Sequence, residues 1–408
     1  MTSERISSSR RRRLIAQTRA CVLWGLGIFL TANLGMWIAT QTFMPHLRDP
    51  EFGYKLNLLK RRMAAEPDRP LLVLLGSSRT GQGLRPGVMP DISTPDGRTP
   101  LVFNFSQVGS GPLSELVALR RLLRDGIRPN WLAIEILPAL LGKNVDAFSD
   151  TGNCISRTNW DDLQILCDYL PDTQNLKNRW YKTQLYPWHA HRFSFMNHYA
   201  SDWVPWRLRL DHWKSLDPWG WSDIGVDSQP LVLVPAALEV SRMTYREGLQ
   251  HFRLSSVQDR ALRDLLALCR QENIPALLYL MPEGDIFRSW YAPATSAALH
   301  DQLSRISLDC RTPVVDARLW MQDKYFGDSH HLYRKGASLF TQRFGPEVLA
   351  RLVQGRTAAL PDLVAPTSPA YPQEGDPDSS LQAEKSSERT NVPMLSIHAG
   401  DSPANQRR

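Results

Sequence analysis

The sequence predicts an α/β fold, a three-layer αβα sandwich around a parallel sheet, preceded by a membrane-spanning helix and interrupted by a helical, Trp-rich insertion. Three observations predict it: five short, largely apolar runs; helical segments alternating with them; and a 408-residue chain of ordinary globular composition, 42% apolar and 22% charged. Strands covered by helices on both faces read as continuous hydrophobic runs. Strand–helix alternation generates βαβ units and hence parallel pairing.

The first element is the apolar run Ala20–Ala39, twenty residues without a charge, with Trp24 and Trp37 near its ends. At about 1.5 Å per helical residue it crosses a hydrocarbon core about 30 Å thick. Arg10, Arg11, Arg12 and Arg13 precede it and favour a cytoplasmic N-terminus, which sends the chain after about residue 43 outward. The run is longer than a usual signal-peptide core and lacks a clear small-x-small cleavage site, so it reads as a signal-anchor of the cytoplasmic membrane. The first nineteen residues hold +5 of the +7 formal charge, leaving +2 for the other 389. A pI near 9.2 therefore gives no basic face for nucleic acid.

The strands expected next are Leu71–Leu75 (LLVLL), Leu101–Phe105 (LVFNF), Trp131–Leu137 (WLAIEIL), Ala276–Met281 (ALLYLM) and Pro313–Ala317 (PVVDA). The expected helices are Pro112–Asp125, Ser255–Glu272, Thr295–Leu308 and Leu332–Val353. Ser255-x-x-Gln258 is a capping-box pattern, and Leu262, Leu265, Leu266 and Cys269 share one face behind it. Alternation breaks between about 145 and 250, where Trp160, Trp180, Trp188, Trp203, Trp206, Trp213, Trp219 and Trp221 fall. These rings suit either packing and membrane seating or an aromatic platform for a sugar or lipid. Beyond Arg356 the chain is Pro-, Ser- and acid-rich with no Trp or Phe, the composition of a segment without a core. The resulting division is a basic N-terminus (1–19), the span (20–43), a first α/β part (65–145), the insertion (146–250), a second α/β part (251–355) and a tail (356–408). Outside the membrane Cys154, Cys167, Cys269 and Cys310 are compatible with two disulfides, or equally with buried thiols.

Two segments carry the chemistry. Gly76-Ser77-Ser78-Arg79-Thr80 follows the first strand, placing a hydroxyl at the carboxyl edge of the sheet, where open α/β folds build their sites. Asp328-Ser329-His330-His331-Leu332 precedes the last helix. A serine hydroxyl needs a base, and the base needs a carboxylate to fix its tautomer; Asp328, three residues before His331, has the spacing for that. The alternatives are a turn or N-cap at Ser77–Ser78, a capping role for Asp328, a solvated histidine, and a metal set of Asp323, Asp328, His330 and His331. Glu283, at the end of strand four, is a candidate for contacting substrate or positioning Arg288. Glu135, inside a strand, is expected to pair with a basic residue.

GSSRT after the first strand and DSHHL before the last helix together resemble the SGNH (GDSL-like) hydrolase superfamily, whose blocks read Gly-Asp-Ser-x-Thr and Asp-x-x-His. The resemblance spans residues 71 to 350 and implies an SGNH/flavodoxin-like sandwich with Ser78 as nucleophile, His331 as base and Asp328 as its orienting acid. The family's second block matches Asn104 to Gly109, so Gly109 and the Ser78 amide become the oxyanion donors. Two departures stand out: Ser77 replaces the usual Asp, and Pro138-Ala139-Leu140-Leu141 replaces the third block's Gly-x-Asn, with Asn144 as a nearby substitute. One missing donor typically costs about 10²–10³ in turnover.

The anchor and the degraded third block resemble the anchored SGNH proteins that assist O-acylation of secreted or cell-wall polymers, including those of teichoic acid D-alanylation and alginate acetylation. The expected function is an extracytoplasmic serine esterase or O-acyltransferase acting on an acylated carbohydrate or envelope polymer, with a membrane acyltransferase as a further partner. The rival expectation is an inactive scaffold of the same fold that binds polymer or that acyltransferase. No cofactor, metal or nucleic acid is expected.

Overall fold

The apolar N-terminal run becomes α1 (Ser8–Ile38), a helix of 31 residues that continues into a π-helical turn at Ala39–Phe43. Its mean hydropathy reaches 1.7, almost none of that stretch is covered by protein, and it is long and apolar enough to cross a membrane. The structure is a computed structural model and describes residues 8–142, 152–204, 216–222 and 233–357. After α1 come α2 (Pro50–Ala65), β1 (Leu71–Leu75), α3 (Ser78–Gly83), β2 (Leu101–Asn104), α4 (Pro112–Arg124) and β3 (Trp131–Glu135). Then follow α5 (Trp160–Tyr169), α6 (Thr173–Leu185), α7 (Pro187–Tyr199), α8 (Pro235–Gln250), α9 (Ser256–Gln271), β4 (Ala276–Leu280), α10 (Pro293–Cys310), β5 (Val314–Asp316) and α11 (Arg334–Phe344).

The five strands form one parallel sheet in the order β2-β1-β3-β4-β5. Leu71 pairs with Leu101 on one side, while Leu72 pairs with Trp131 on the other. Connections therefore leave β1 in opposite directions, and a parallel sheet opens a crevice at the carboxyl ends of such a pair. Successive strand side chains alternate between faces. Leu72, Leu74, Ala133, Leu277, Tyr279 and Val315 pack with Phe340, Phe344 and Val348. The intervening Leu71, Val73, Leu75, Leu132, Ile134, Leu278 and Leu280 are buried as well. Both faces of the sheet are thus covered, which is why its strands carry no alternating polar pattern.

The expected boundaries shift where backbone chemistry intervenes. Ser255 caps α9 by accepting the Gln258 N–H at 3.4 Å. The expected helix Leu332–Val353 begins two residues later and breaks after Phe344 into a π-helical turn, Gly345–Leu349, before Ala350–Val353. Pro346 has no N–H to donate, and its ring forces the preceding turn to widen.

The described residues divide into two compact units, the first drawing on the chain up to Gly53 and on 152–210, the second on the rest. The stretch 146–250, expected as a single insertion, is therefore split. Within the second unit the turn 216–222 is tied to the sheet: Asn104 N donates to Trp219 O at 2.8 Å, Ser222 N to Gly81 O at 2.9 Å, and Trp221 Nε1 to Gln82 O at 2.7 Å. Gly220, with φ +82°, lies so close that an added Cβ would sit 2.3 Å from Asn104 O. In the first unit Trp180 is buried, donates to Thr158 O at 2.9 Å and meets the Trp160 ring edge-on at 5.4 Å. Trp160, Trp188 and Trp203 are exposed, whereas Trp206 and Trp213 lie outside the described residues.

Cys167, Cys269 and Cys310 are free thiols, so the two-disulfide reading does not hold for them; the Cys154 side chain lies outside the described residues, as does the tail from 358. Burial pushes the Cys269 thiol up to about 12. Leu74 is fully buried at the centre of β1. Leu74→Ala should cost about 2–5 kcal/mol in urea titration of the detergent-solubilised chain; a loss below about 1 kcal/mol would contradict the packing.

Candidate functional site

β1 ends at Leu75 and the chain turns at Gly76, where a Cβ would lie 2.6 Å from Glu135 Oε2 and 2.5 Å from Thr80 Oγ1. Only glycine fits there, because the Glu135 carboxylate occupies the space beneath the turn. Glu135 Oε2 accepts the N–H of Ser77 at 2.8 Å, the N–H of Thr80 at 3.3 Å and the Thr80 hydroxyl at 2.7 Å. The Ser77 hydroxyl donates to the same carboxylate at 3.0–3.1 Å and accepts the Arg79 N–H at 3.1 Å, capping α3. Ser77 thus serves the turn, and Ser78, one residue on, is left half-buried at the first position of the helix.

Arg79 is 1% exposed and ties this turn to the end of β4. Its Nη1 donates to Glu283 Oε1 at 3.1 Å and its Nη2 to the carbonyls of Met281 at 2.8 Å and Pro282 at 3.1 Å, while Nε is 3.7 Å from Glu135. Burial works against its charge, but Glu283 and Glu135 outweigh burial and hold the guanidinium protonated. This corrects the expectation for Glu283: it is fully buried, accepts Arg79 and the Tyr291 hydroxyl (2.9 Å), and faces no solvent. Arg288 is held by the backbone carbonyls of Glu283 and Arg318 and by Asp285, so it is not positioned by the Glu283 carboxylate.

The second segment arrives from the carboxyl end of β5. Residues 326–332 form a closed loop, with a bridge between Phe326 and Leu332 and the Gly327 N–H donating to His331 O at 3.1 Å. Ser329 adopts φ +70°, an uncommon left-handed conformation, and is fixed there because its hydroxyl accepts the Phe287 N–H (3.0 Å) and its carbonyl the Gly284 N–H (2.8 Å). The turn lets Asp328 Oδ1 accept two backbone N–H groups, His330 at 3.1 Å and His331 at 2.7 Å. Asp328 Oδ2 lies 2.7 Å from His331 Nδ1, and His331 Nε2 lies 2.8 Å from Ser78 Oγ. Ser78, His331 and Asp328, 253 positions apart at their extremes, therefore stand in one line. Those distances fit an imidazole that donates from Nδ1 to the carboxylate and accepts the Ser78 proton at Nε2.

Burial opposes the charge on Asp328, but His331, donating from both its Nδ1 and its backbone N–H, outweighs it and holds the carboxyl below the usual range. One neighbour of the acid, Ser241, escaped the sequence reading, and a second, His330, is weighed there only as a solvated histidine or part of a metal set. Ser241, on α8, is buried with its hydroxyl 3.3 Å from Asp328 Oδ2; nothing in the pattern of that helix marks it. His330 is buried against Phe287 (5.1 Å, stacked) and Tyr245 (5.2 Å, edge-on), with Nδ1 3.2 Å from Asp328 Oδ1 and Nε2 without a partner. Burial lowers its pKa to about 3, so it is a neutral ring beside the acid. Ligand atoms of Asp328, His330 and His331 lie within 4.8 Å of one another, but Asp323 stands apart, its Oδ1 accepting the Asp285 N–H at 2.6 Å.

The region after β2 is equally specific. Asn104 spends its carboxamide on structure: Nδ2 donates to Thr80 O (2.8 Å) and Leu84 O (2.7 Å), and Oδ1 accepts the Ser106 N–H (3.2 Å). Lys55, buried on α2, donates to Ser106 O at 2.7 Å and Oγ at 3.1 Å. Gly109 is exposed with φ +68°, a conformation that favours glycine. Pro138–Leu141 is a buried 3-10 turn that offers no side-chain donor, and Asn144 lies outside the described residues.

The chain matches no family model, and no curated protein matches it.

Arg79→Met should cost about 3–5 kcal/mol in denaturant titration, since it leaves the buried Glu135 and Glu283 uncompensated; a neutral outcome would contradict the network. Asp328 has a folded pKa below its unfolded value of about 3.9, so its contribution is complete above about pH 5 and fades as pH falls through the unfolded value and below. The stability gap between the native chain and Asp328→Asn should accordingly narrow from about pH 6 to about pH 3. A gap that stays constant over that range argues against an ionised, hydrogen-bonded Asp328.

Proposed function

We propose that the chain is a membrane-anchored, extracytoplasmic serine esterase or O-acyltransferase of SGNH type, acting on acyl esters of a glycan or cell-envelope polymer. One observation carries this reading: the Ser78 hydroxyl lies 2.8 Å from His331 Nε2 while His331 Nδ1 lies 2.7 Å from Asp328 Oδ2. The order of the blocks, Ser78 after β1, Gly109 after β2 and Asp328–His331 before α11, supports a three-layer, flavodoxin-like arrangement of this superfamily. The arginines in the first turns of α1, ahead of its apolar run, support a cytoplasmic N-terminus, with everything beyond the span outside.

In this reading Ser78 Oγ attacks the acyl carbonyl as His331 Nε2 takes its proton. The ionised Asp328 stabilises the resulting imidazolium and holds its tautomer. Negative charge develops on the carbonyl oxygen, where the N–H groups of Ser78 and Gly109 are the donors. Collapse of the tetrahedral intermediate breaks the ester C–O bond, and the departing alkoxide takes the proton back from His331. The seryl ester is then attacked by water, giving hydrolysis, or by a sugar hydroxyl, giving transfer, with His331 acting again as base.

A second reading, a catalytically inactive envelope scaffold, is favoured by the buried, apolar Pro138–Leu141 turn where a third oxyanion donor is expected. A fluorophosphonate probe applied to the full chain in detergent separates the two. Labelling lost in Ser78→Ala and lowered about 10²–10⁴-fold in Asp328→Asn supports acyl chemistry. A folded chain that never labels supports the scaffold.

A further inference from the structure

The exposed aromatic residues of the first unit are grouped. Tyr181, Leu185, Tyr186 and Trp188 lie on the two sides of Pro187, where α6 gives way to α7, and Tyr199 and the 81%-exposed Trp203 follow at the other end of α7. This group stands beside the carboxyl end of α1, along which α7 packs. Gln184 Oε1 accepts from both Trp37 Nε1 (3.1 Å) and Gln41 Nε2 (3.0 Å), and the Tyr199 hydroxyl meets Met44 Sδ at 3.3 Å. On α1 itself Val22, Leu23, Trp24, Ile28, Phe29 and Leu30 are exposed, whereas Asn33 and Met36, continued by Thr40 in the turn that follows, form a protein-covered stripe.

The depth of that contact follows from helix geometry. Counting from Ala20 at about 1.5 Å per residue, Trp37 and Gln41 lie about 26 Å and 32 Å along the helix, close to the far boundary of a hydrocarbon core about 30 Å thick. Charge agrees with depth: from Thr173 to Trp203 the chain has Lys177, Arg179, Lys182 and Arg192 against a single acid, Asp202. Tyrosine and tryptophan favour the membrane–water boundary, and basic side chains beside them favour anionic headgroups.

We propose that α6 and α7 rest on the bilayer surface at the carboxyl end of α1, with Leu185, Tyr186, Trp188 and Trp203 in the interfacial layer and the four basic residues at anionic phospholipid headgroups. The proposal rests on α1 spanning the membrane. The exposed rings are then a second attachment, which orients the first unit on the lipid instead of leaving it on a single swivelling tether.

The test uses the full chain in nanodiscs of zwitterionic and anionic phospholipid containing a phospholipid with a photoactivatable diazirine near its glycerol, with crosslinked peptides mapped by mass spectrometry. Adducts are expected in α1 and in residues 183–203, and Trp188→Ser/Trp203→Ser should reduce the adducts in 183–203 at least severalfold while those in α1 stay unchanged. Adducts in α1 without adducts in 183–203 overturn the proposal and leave the anchor intact. Adducts in neither overturn both. Labelling of 183–203 that is absent with lipid but appears with a diazirine-bearing acylated polysaccharide overturns it in favour of a polymer platform.

Discussion

A carboxylate buried at the carboxyl end of β3 is the constraint around which the site is organised. An ionised side chain is tolerated inside a protein only when donors replace its lost hydration. Glu135 finds them in the turn after β1: two backbone N–H groups and the hydroxyls of Ser77 and Thr80. The turn therefore closes over the carboxylate, Gly76 is required to let it do so, and Ser78 is pushed to the outside of the bend. Arg79 extends the same electrostatic tie to the end of β4 through Glu283 and two carbonyls. Three adjacent strands are thus cross-linked at the carboxyl edge of β1 and β3, and the serine hydroxyl stands on a turn that this network ties down.

The acid–base partner is built by different means. Asp328 is fixed by its own loop, whose left-handed Ser329 brings two consecutive N–H groups onto one carboxylate oxygen. The other oxygen is left for His331, with Ser241 alongside. His330 fills the space behind it as an uncharged ring stacked on Phe287, so the carboxylate is shielded on that side without a competing cation. Orientation of the imidazole is consequently set by residues 326–332 together with the Gly284 and Phe287 N–H groups that pin Ser329, while its distance to Ser78 depends on the packing of the sheet.

Much of this was legible in the residues. The five apolar runs are the five strands, because a strand buried on both faces has no polar phase to obscure it. Ser78, Asp328 and His331 were legible only as a set, through the resemblance of GSSRT and DSHHL to paired blocks, since each alone also suits a turn, a cap, a solvated histidine or a metal set. Less legible were contacts made by residue types with many uses. Ser241 and Lys55 carry no pattern that marks them, yet both are buried beside the site's backbone and side chains, and Asn104 spends its carboxamide on carbonyls of the neighbouring turn. Glu283 looked available to a ligand because nothing in a one-dimensional pattern shows that Arg79 turns toward it from 204 positions away. The split of 146–250 between the two units was hidden for a related reason: the turn at Trp219–Trp221 is recruited by backbone groups of the sheet, which any sequence supplies.

The loop that carries Asp328 and His331 has an evolutionary reach beyond its geometry. Since the carboxylate and imidazole orient each other within seven residues, a descendant that replaced Ser78 by another small residue would keep them aligned, with one acceptor nitrogen turned toward the vacated space. Such a chain could hold a water or a ligand hydroxyl where the alcohol stood without rebuilding the loop. The separation of a loop-borne aspartate–histidine pair from a sheet-borne alcohol thus means that one substitution at Ser78 removes the alcohol and leaves the pair standing.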